Sequence, residues 1–246
     1  MARADWNSVR VVLLDIEGTT TPINFVYQTL FPYASSHVES FLATRSAEPE
    51  IRAIVQDLKA ERANDAAAGL APPEWPIDSK TELHDSVAYV HWLMSRDSKC
   101  GPLKSLQGKI WQRGFESGEL HGEVYADVPP ALTRWRRQRR DIAIYSSGSV
   151  LAQKMLFSSV PSGDLTPNIC EFFDTSVGVK TAAASYTKIA AAMQTPPQEF
   201  LFLSDAAKEV AAAQSAGMFA ALCDREAATP NRSPNTITSF DEVLPD

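Results

Sequence analysis

Four apolar runs, each followed at once by small or acidic residues, constrain the fold of this chain more than any other feature. The runs are Val9–Leu14, Ile142–Tyr145, Phe200–Leu203 and Met218–Leu222. Apolar runs without polar alternation are typical of strands buried on both faces of a parallel sheet. Helices are predicted between and after them at Val128–Arg140, Val150–Ser158, Ala182–Met193 and Ala206–Ala216. This alternation predicts a doubly wound, Rossmann-like parallel-sheet α/β fold.

The pattern changes between the first run and the second. From residue 22 to residue 126, apolar residues recur at three- and four-residue spacing, which is typical of amphipathic helices. We therefore predict an all-helical cap domain, residues 22–126, inserted into an α/β core domain formed by residues 1–21 and 127–246. Near the end of the chain we predict a loop around Pro230–Asn235, then a short helix with a capping box at Ser239 and Glu242.

Composition narrows the function classes. The chain has 246 residues, of which 44% are hydrophobic and 22% charged, as in an ordinary globular protein. The net charge of −7 disfavours nucleic acid as a partner, and no run approaches the ~18 apolar residues of a membrane-spanning helix. The basic segment Arg134–Arg140 is interpreted as a solvated helix end. Three cysteines without paired spacing and no signal-peptide pattern predict a cytoplasmic protein, with the nucleus as the alternative.

Two carboxylates lie in the loop that follows the first apolar run. An Asp directly after a buried strand, as Asp15 is, can be held rigidly and aimed into a cleft, as a covalent phosphoryl acceptor must be. Glu17 reaches the same cleft and is a candidate general acid or base. A solvated acidic turn is the alternative interpretation of this loop.

Three later segments offer groups that suit a phosphate ester. Ser146 and Ser147 precede a helix, where hydroxyls and exposed amides favour phosphate oxygens. Lys180 can neutralise phosphate charge, and Asp205 is a hard oxygen ligand of the kind that magnesium prefers. The same loop offers Glu209, four residues later on the first turn of the next helix, with a solvated residue as the alternative interpretation. Each segment alone also fits a helix cap or a surface role, but their order along the strand ends favours a phosphate site.

In that order the loops resemble the haloacid dehalogenase-like hydrolases, whose pattern is DxDx(T/V), then Ser or Thr, then Lys, then an acidic loop. Asp15 matches the nucleophile of that pattern, Ser146 the hydroxyl, Lys180 the lysine and Asp205 the metal-binding acid. Glu17 departs from the pattern, because it stands where the second Asp normally lies.

With Glu at this position, the first loop resembles one branch of the family, the enolase-phosphatases of methionine salvage. The strings Leu14–Ile23, Tyr145–Val150 and Leu201–Asp205 carry this resemblance, which extends over nearly the whole chain. It implies a two-step reaction on 2,3-diketo-5-methylthiopentyl-1-phosphate: enolisation of the diketone, then hydrolysis of the phosphate to give the acireductone 1,2-dihydroxy-3-keto-5-methylthiopentene. It also implies a monomer that acts on a small molecule.

The resemblance further implies roles for individual residues. The catalytic residues are Asp15, Glu17 and Lys180, and one Mg²⁺ per subunit is held by Asp15, Glu17 and Asp205. The substrate contacts are Ser146, Ser147 and Lys180. The sequence leaves open whether Glu17 contacts the metal through its carboxylate or its main-chain carbonyl, and which group takes the proton during enolisation.

Two other functions are consistent with parts of the pattern. One is a general phosphomonoesterase of the same family with the same nucleophile. The other is a non-catalytic module that binds a phosphorylated ligand or RNA. The joint presence of Asp15, Lys180 and Asp205 argues against a module without activity.

Overall fold

The computed structural model describes residues 6–76, 82–226 and 235–246. The chain divides into two compact units. The first, called here the core unit, contains Met1–Val26 and His121–Asp246, and the second, the cap unit, contains Tyr27–Leu120. The sequence analysis predicted a cap domain at residues 22–126. These domain bounds stay a prediction.

The strands all lie in the core unit as far as the structure describes the chain. They are β1 (Val11–Leu14), β2 (Asp141–Tyr145), β3 (Glu171–Phe173), β4 (Phe200–Ser204), β5 (Phe219–Cys223) and β6 (Thr236–Ile237). They form one sheet in the order β3-β2-β1-β4-β5-β6, with every neighbouring pair parallel. The chain fills the sheet outward from β1 to β3 on one side and from β4 to β6 on the other. Winding therefore reverses between β1 and β4, and this switch point is where ligands bind in such sheets.

The described helices lie in both units. In chain order they are α1 (Ile23–Phe25), α2 (Phe31–Arg45), α3 (Pro49–Ala67), α4 (Glu82–Ser95), α5 (Gly101–Ser117), α6 (Val128–Arg137), α7 (Val150–Ser158), α8 (Ala183–Ala192) and α9 (Ala207–Ser215). A π-helical turn, Val26–Leu30, joins α1 to α2, and short 3₁₀ turns lie at Thr166–Asn168, Pro197–Glu199 and Phe240–Glu242. No helix in the described ranges is long and apolar enough to cross a membrane.

The sheet is buried because its strands are continuous apolar runs, as the sequence predicts. All four residues of β1 and all five of β4 are buried. The core beside them contains two tyrosines, Tyr145 and Tyr186, whose rings meet edge to face with centroids 5.6 Å apart. Tyr186 also packs against Phe202, with centroids 5.1 Å apart. Such aromatic pairs stabilise the fold beyond the burial of their apolar area, and they fix the relative positions of strand and helix.

The cap unit has a separate apolar core. The helices α2 to α5 contribute buried residues such as Phe41, Leu58, Tyr89 and Leu106. Within each of these helices the buried residues recur at three- and four-residue spacing, so one face of each helix is buried. Tyr89 is wholly buried, and its hydroxyl donates to Asp65 over 2.5 Å, which satisfies the polar end of the ring.

Two elements near the C-terminus test the sequence predictions there. The capping box is confirmed: the Ser239 side chain accepts from the backbone, and the Glu242 carboxylate accepts from the Ser239 amide. The helix it begins is only the 3₁₀ turn Phe240–Glu242. Most of the predicted loop around Pro230–Asn235 lies outside the described residues.

Candidate active site

The strand order brings three of the predicted loops to one edge of the sheet. Leu14, the last residue of β1, pairs with Ile144 of β2 on one side and Leu203 of β4 on the other. The loops that follow these strands are therefore neighbours. They carry the carboxylates and hydroxyls that the sequence analysis selected.

Asp15 lies at the centre of this edge. It is buried, and its Oδ1 accepts hydrogen bonds from the Ile16 amide at 2.7 Å and from Lys180 Nζ at 2.5 Å. Its Oδ2 lies 3.1 Å from the Ser204 hydroxyl. A carboxylate held at both oxygens keeps one orientation, which a nucleophile aimed at phosphorus requires.

Lys180 is buried in the segment that connects β3 to α8. Its ammonium group donates to Asp15 and also pairs with Glu209 Oε2 at 2.8 Å. Burial alone would lower the pKa of Lys180, but the charges of Asp15 and Glu209 outweigh it and raise that pKa. The Tyr186 hydroxyl donates to the Lys180 carbonyl at 2.7 Å, so the aromatic core of the unit fixes this segment.

Glu209 is a member of this cluster to which the sequence analysis assigned no role, because a solvated side chain was an open alternative there. It lies on the first turn of α9, where its carboxylate meets Lys180 and accepts from the Ser204 hydroxyl at 2.9 Å. Burial and the negative charge of Asp15 raise its pKa. A sequence signal existed, since Glu209 lies on the first turn of the helix that follows the Asp205 loop.

Glu17 and Ser146 bridge the first and second loops. The Ser146 hydroxyl donates to Glu17 Oε2 at 3.3 Å, and the Ser146 amide donates to the Phe173 carbonyl at 3.2 Å. Burial and the nearby charge of Asp15 raise the pKa of Glu17. Ser147 follows Ser146 in the same loop but is exposed. The structure thus brings Glu17 and Ser146 together at the site, while Ser147 is exposed to solvent.

Asp205 begins the loop after β4 and lies against the first loop. Its amide donates to the Thr19 hydroxyl at 3.0 Å. A Cβ added to Gly18 would lie 2.2 Å from Asp205 Oδ2, and Gly18 has a φ of +69°, so glycine is needed there for both reasons. Although Asp205 is exposed, partial desolvation and then the charge of Asp15 raise its pKa to about 6.

Sequence and structure comparisons identify the family of this site. A model of the haloacid dehalogenase-like hydrolases matches residues 9–217. Enolase-phosphatase E1 of Synechococcus elongatus is 46% identical to this chain, over 96% of the chain and 98% of its own length. The chain belongs to the enolase-phosphatase family of haloacid dehalogenase-like hydrolases.

Further enolase-phosphatase relatives extend this likeness. Enolase-phosphatase E1 of Drosophila simulans is 46% identical, over 96% of this chain and 91% of its own length. Among solved structures, the UTR4 protein of Saccharomyces cerevisiae is similar, with a TM-score of 0.75 and 33% identity, over 95% of this chain and 99% of that one. The predicted fold class and the predicted family are confirmed.

Enolase-phosphatases and other haloacid dehalogenase-like hydrolases generally use Mg²⁺. Four carboxylates, those of Asp15, Glu17, Asp205 and Glu209, interact electrostatically with Lys180. Desolvation, and after it the negative charge of Asp15, raises the pKa of Asp205, and a divalent cation would relieve this concentration of negative charge. Among the described residues no three His, Cys, Asp or Glu side chains converge on one point. Two carboxylates with a main-chain oxygen and waters would suit magnesium, so the residues present fit this ion.

Proposed function

We propose that this chain converts 2,3-diketo-5-methylthiopentyl-1-phosphate to 1,2-dihydroxy-3-keto-5-methylthiopentene and phosphate in methionine salvage. The observation that carries the proposal is the contact of the Lys180 ammonium with Asp15, beside the contact of Glu17 with Ser146, at the sheet's switch point. The name Enolase-phosphatase E1 of relatives at 46% identity supports the two-step reaction.

In the hydrolytic step, Asp15 acts as the nucleophile. One carboxylate oxygen attacks phosphorus, the bond from phosphorus to the substrate oxygen breaks, and a proton passes to that leaving oxygen. Water then attacks the aspartyl phosphate, which releases phosphate and restores Asp15. Lys180 lies 2.5 Å from Asp15, so its charge stabilises the negative charge that gathers on the transferring group.

Proton transfer in this step is assigned to Glu17. Its carboxylate is one methylene longer than that of an aspartate, and it is already in contact with Ser146 across the cleft edge. It gives its proton to the leaving oxygen and takes one from the attacking water. Ser146 and Ser147 are proposed to bind substrate oxygens in the loop that begins α7, where a helix N-terminus favours negative charge.

One Mg²⁺ is proposed to bind to Asp15 and Asp205, with Glu17 as the third protein ligand. The Glu17 carboxylate already accepts from the Ser146 hydroxyl, which favours the main-chain carbonyl of Glu17 as its contact with the metal. When bound, the ion supplies Lewis acidity for the diketone and charge neutralisation for the phosphoryl group.

We also propose a cytoplasmic monomer without nucleic-acid partners; the comparisons give the nuclear alternative no support.

The experiment that tests this function follows the diketone phosphate by ultraviolet absorbance and by phosphate release. It compares wild type with Asp15→Asn, with magnesium or with EDTA. We expect a magnesium-dependent enol signal followed by phosphate, and loss of phosphate release in the variant. Phosphate release from generic esters without an enol product would leave a broader phosphomonoesterase. No turnover of either substrate by folded protein would favour the binding module.

A further inference from the structure

Arg225 is a buried arginine that the proposed reaction does not use. It follows β5, and its side chain is only 8% exposed. Two of its nitrogens donate to one acceptor, the carbonyl of Thr19, at 3.0 Å from Nε and 2.6 Å from Nη2. A third nitrogen, Nη1, donates to Asp127 Oδ2 at 2.5 Å. An arginine with this many fixed contacts holds its partners in one arrangement, because the guanidinium is planar and rigid.

Two aromatic rings pack against the guanidinium group of Arg225. The Tyr125 ring lies 4.3 Å and the Phe240 ring 4.5 Å from the guanidinium carbon. These contacts join the segment before α6 and the C-terminal 3₁₀ turn to the first loop. Contacts of this kind stabilise a cation that is removed from water.

Thr19 connects this cluster to the active site. It is fully buried, its carbonyl accepts from Arg225, and its hydroxyl accepts from the Asp205 amide at 3.0 Å. The neighbouring residue, Gly18, lies directly against the Asp205 carboxylate. A shift of the Thr19 peptide would therefore move both the amide and the carboxylate of Asp205.

We propose that Arg225 is a positioning residue that places Asp205 for magnesium through Thr19. This inference rests on the proposed function, in which Asp205 is a metal ligand. Some residues orient a metal ligand without contacting the metal. Mutation of such a residue commonly lowers metal affinity or activity about 10- to 100-fold. A merely structural arginine would change the stability of the fold and leave the metal affinity of the folded protein unaltered.

The chain offers a matched control in Arg134. This arginine also donates to main-chain carbonyls, with Nη2 at 2.7 Å from the Phe240 carbonyl and 3.2 Å from the Val243 carbonyl. Its hydrogen bonds to main-chain carbonyls join α6 to the C-terminal segment and not to the first loop. Arg134→Lys therefore disturbs the same segment without disturbing Thr19.

The experiment measures Mg²⁺ binding to the metal-free protein by titration calorimetry, together with melting temperature and kcat on a phosphate ester. We expect Arg225→Lys to weaken Mg²⁺ binding about tenfold or more and to lower kcat at limiting magnesium. Arg134→Lys should lower the melting temperature and leave Mg²⁺ affinity within about twofold of wild type. Equal Mg²⁺ affinity in wild type and Arg225→Lys would overturn the proposal.

A second pair of variants covers the case in which Arg225→Lys does not fold. Thr19→Val removes the hydroxyl that accepts from Asp205, and Thr19→Ser retains it. We expect the valine variant to lose Mg²⁺ affinity and the serine variant to recover most of it. Equal Mg²⁺ affinity in the two would refute the connection through Thr19. Absence of Mg²⁺ binding in wild type would instead refute the proposed function itself.

Discussion

The core unit and the cap unit bury different kinds of side chain. In the core unit, Asp15 and Lys180 are buried charges at the end of the sheet. In the cap unit, the buried polar residues among those described are the uncharged Ser86 and Gln107. Burying a charge costs several kcal/mol unless a partner compensates it. The core unit therefore retains an arrangement that is costly for folding but suited to reaction, whereas the interior of the cap unit serves mainly stability.

The largest effect should follow from the buried nucleophile. Asp15→Asn keeps the shape and one acceptor for Lys180 but removes the attacking carboxylate, so phosphate release should fall about a thousandfold or more. The melting temperature should not fall, since a neutral side chain is cheaper to bury. Phosphate assays and thermal melts of the same preparation check both. Substantial residual release would contradict the assignment of Asp15 as nucleophile.

A core substitution in the cap unit should have the opposite profile. Leu58 is fully buried on α3, and Leu58→Ala should lower the free energy of unfolding by about 2–5 kcal/mol by leaving a cavity. The exposed Leu70 gives a control, since Leu70→Ala removes no buried contact area of that size. Urea unfolding measures the difference. If Leu58→Ala lowers kcat of the fully folded protein as strongly as Asp15→Asn, the contrast between the units fails.

Glu209 tests whether the charged cluster acts as a unit. Glu209→Gln keeps a hydrogen-bonding side chain but removes the negative charge 2.8 Å from Lys180. Lys180 should then interact more strongly with Asp15 alone, and kcat/KM should fall about 10- to 100-fold. Glu199→Gln is the control, because Glu199 pairs with Arg10 at the surface, where ion pairs contribute little. Equal kinetics for the two variants would show that Glu209 does not take part in the reaction.

The sequence predicts the elements that are long and apolar, and misses those that depend on distant contacts. Helix α7 has the predicted bounds, and the buried strands β1, β2, β4 and β5 lie within a residue or two of the predicted runs. By contrast, β3 has three residues and β6 two, too few to show a pattern. Helix α6 ends at Arg137, before Arg139, which has a φ of 59° that no apolar pattern reveals.

The same difference applies to the site. Asp15 and Ser146 follow strands directly, so strand prediction places them at the sheet edge. Arg225 also follows a strand, but its importance depends on Thr19 and Asp127, which are 206 and 98 residues away in the sequence. A contact over that distance leaves no trace in local spacing. Only the fold shows that Arg225 binds the first loop through the Thr19 carbonyl.

The smallest expected effect concerns Asp127, which joins the core unit's Arg225 to the C-terminal turn. Burial would raise its pKa, but the Phe240 amide and Arg225 outweigh burial and hold it below the ordinary value of 3.8. The folded state thus binds its proton less readily than the unfolded state does. Asp127 should contribute stability above about pH 4, and that contribution should be lost as pH falls from 3.8 through the lowered pKa of the folded state.

Denaturation of wild type and Asp127→Asn at several pH values measures this contribution. At pH 7 the variant should be less stable by about 1 kcal/mol, because asparagine keeps one acceptor but not the charge. The gap should narrow as the pH falls below 3.8, since wild type then loses the same charge. Asp141→Asn, which breaks only the exposed pair with Arg136, should show a smaller gap at neutral pH. A gap for Asp127→Asn that stays constant down to pH 2 would mean that the charge of Asp127 does not stabilise the fold, and that Arg225 is held mainly by its contacts with Thr19 and the two rings.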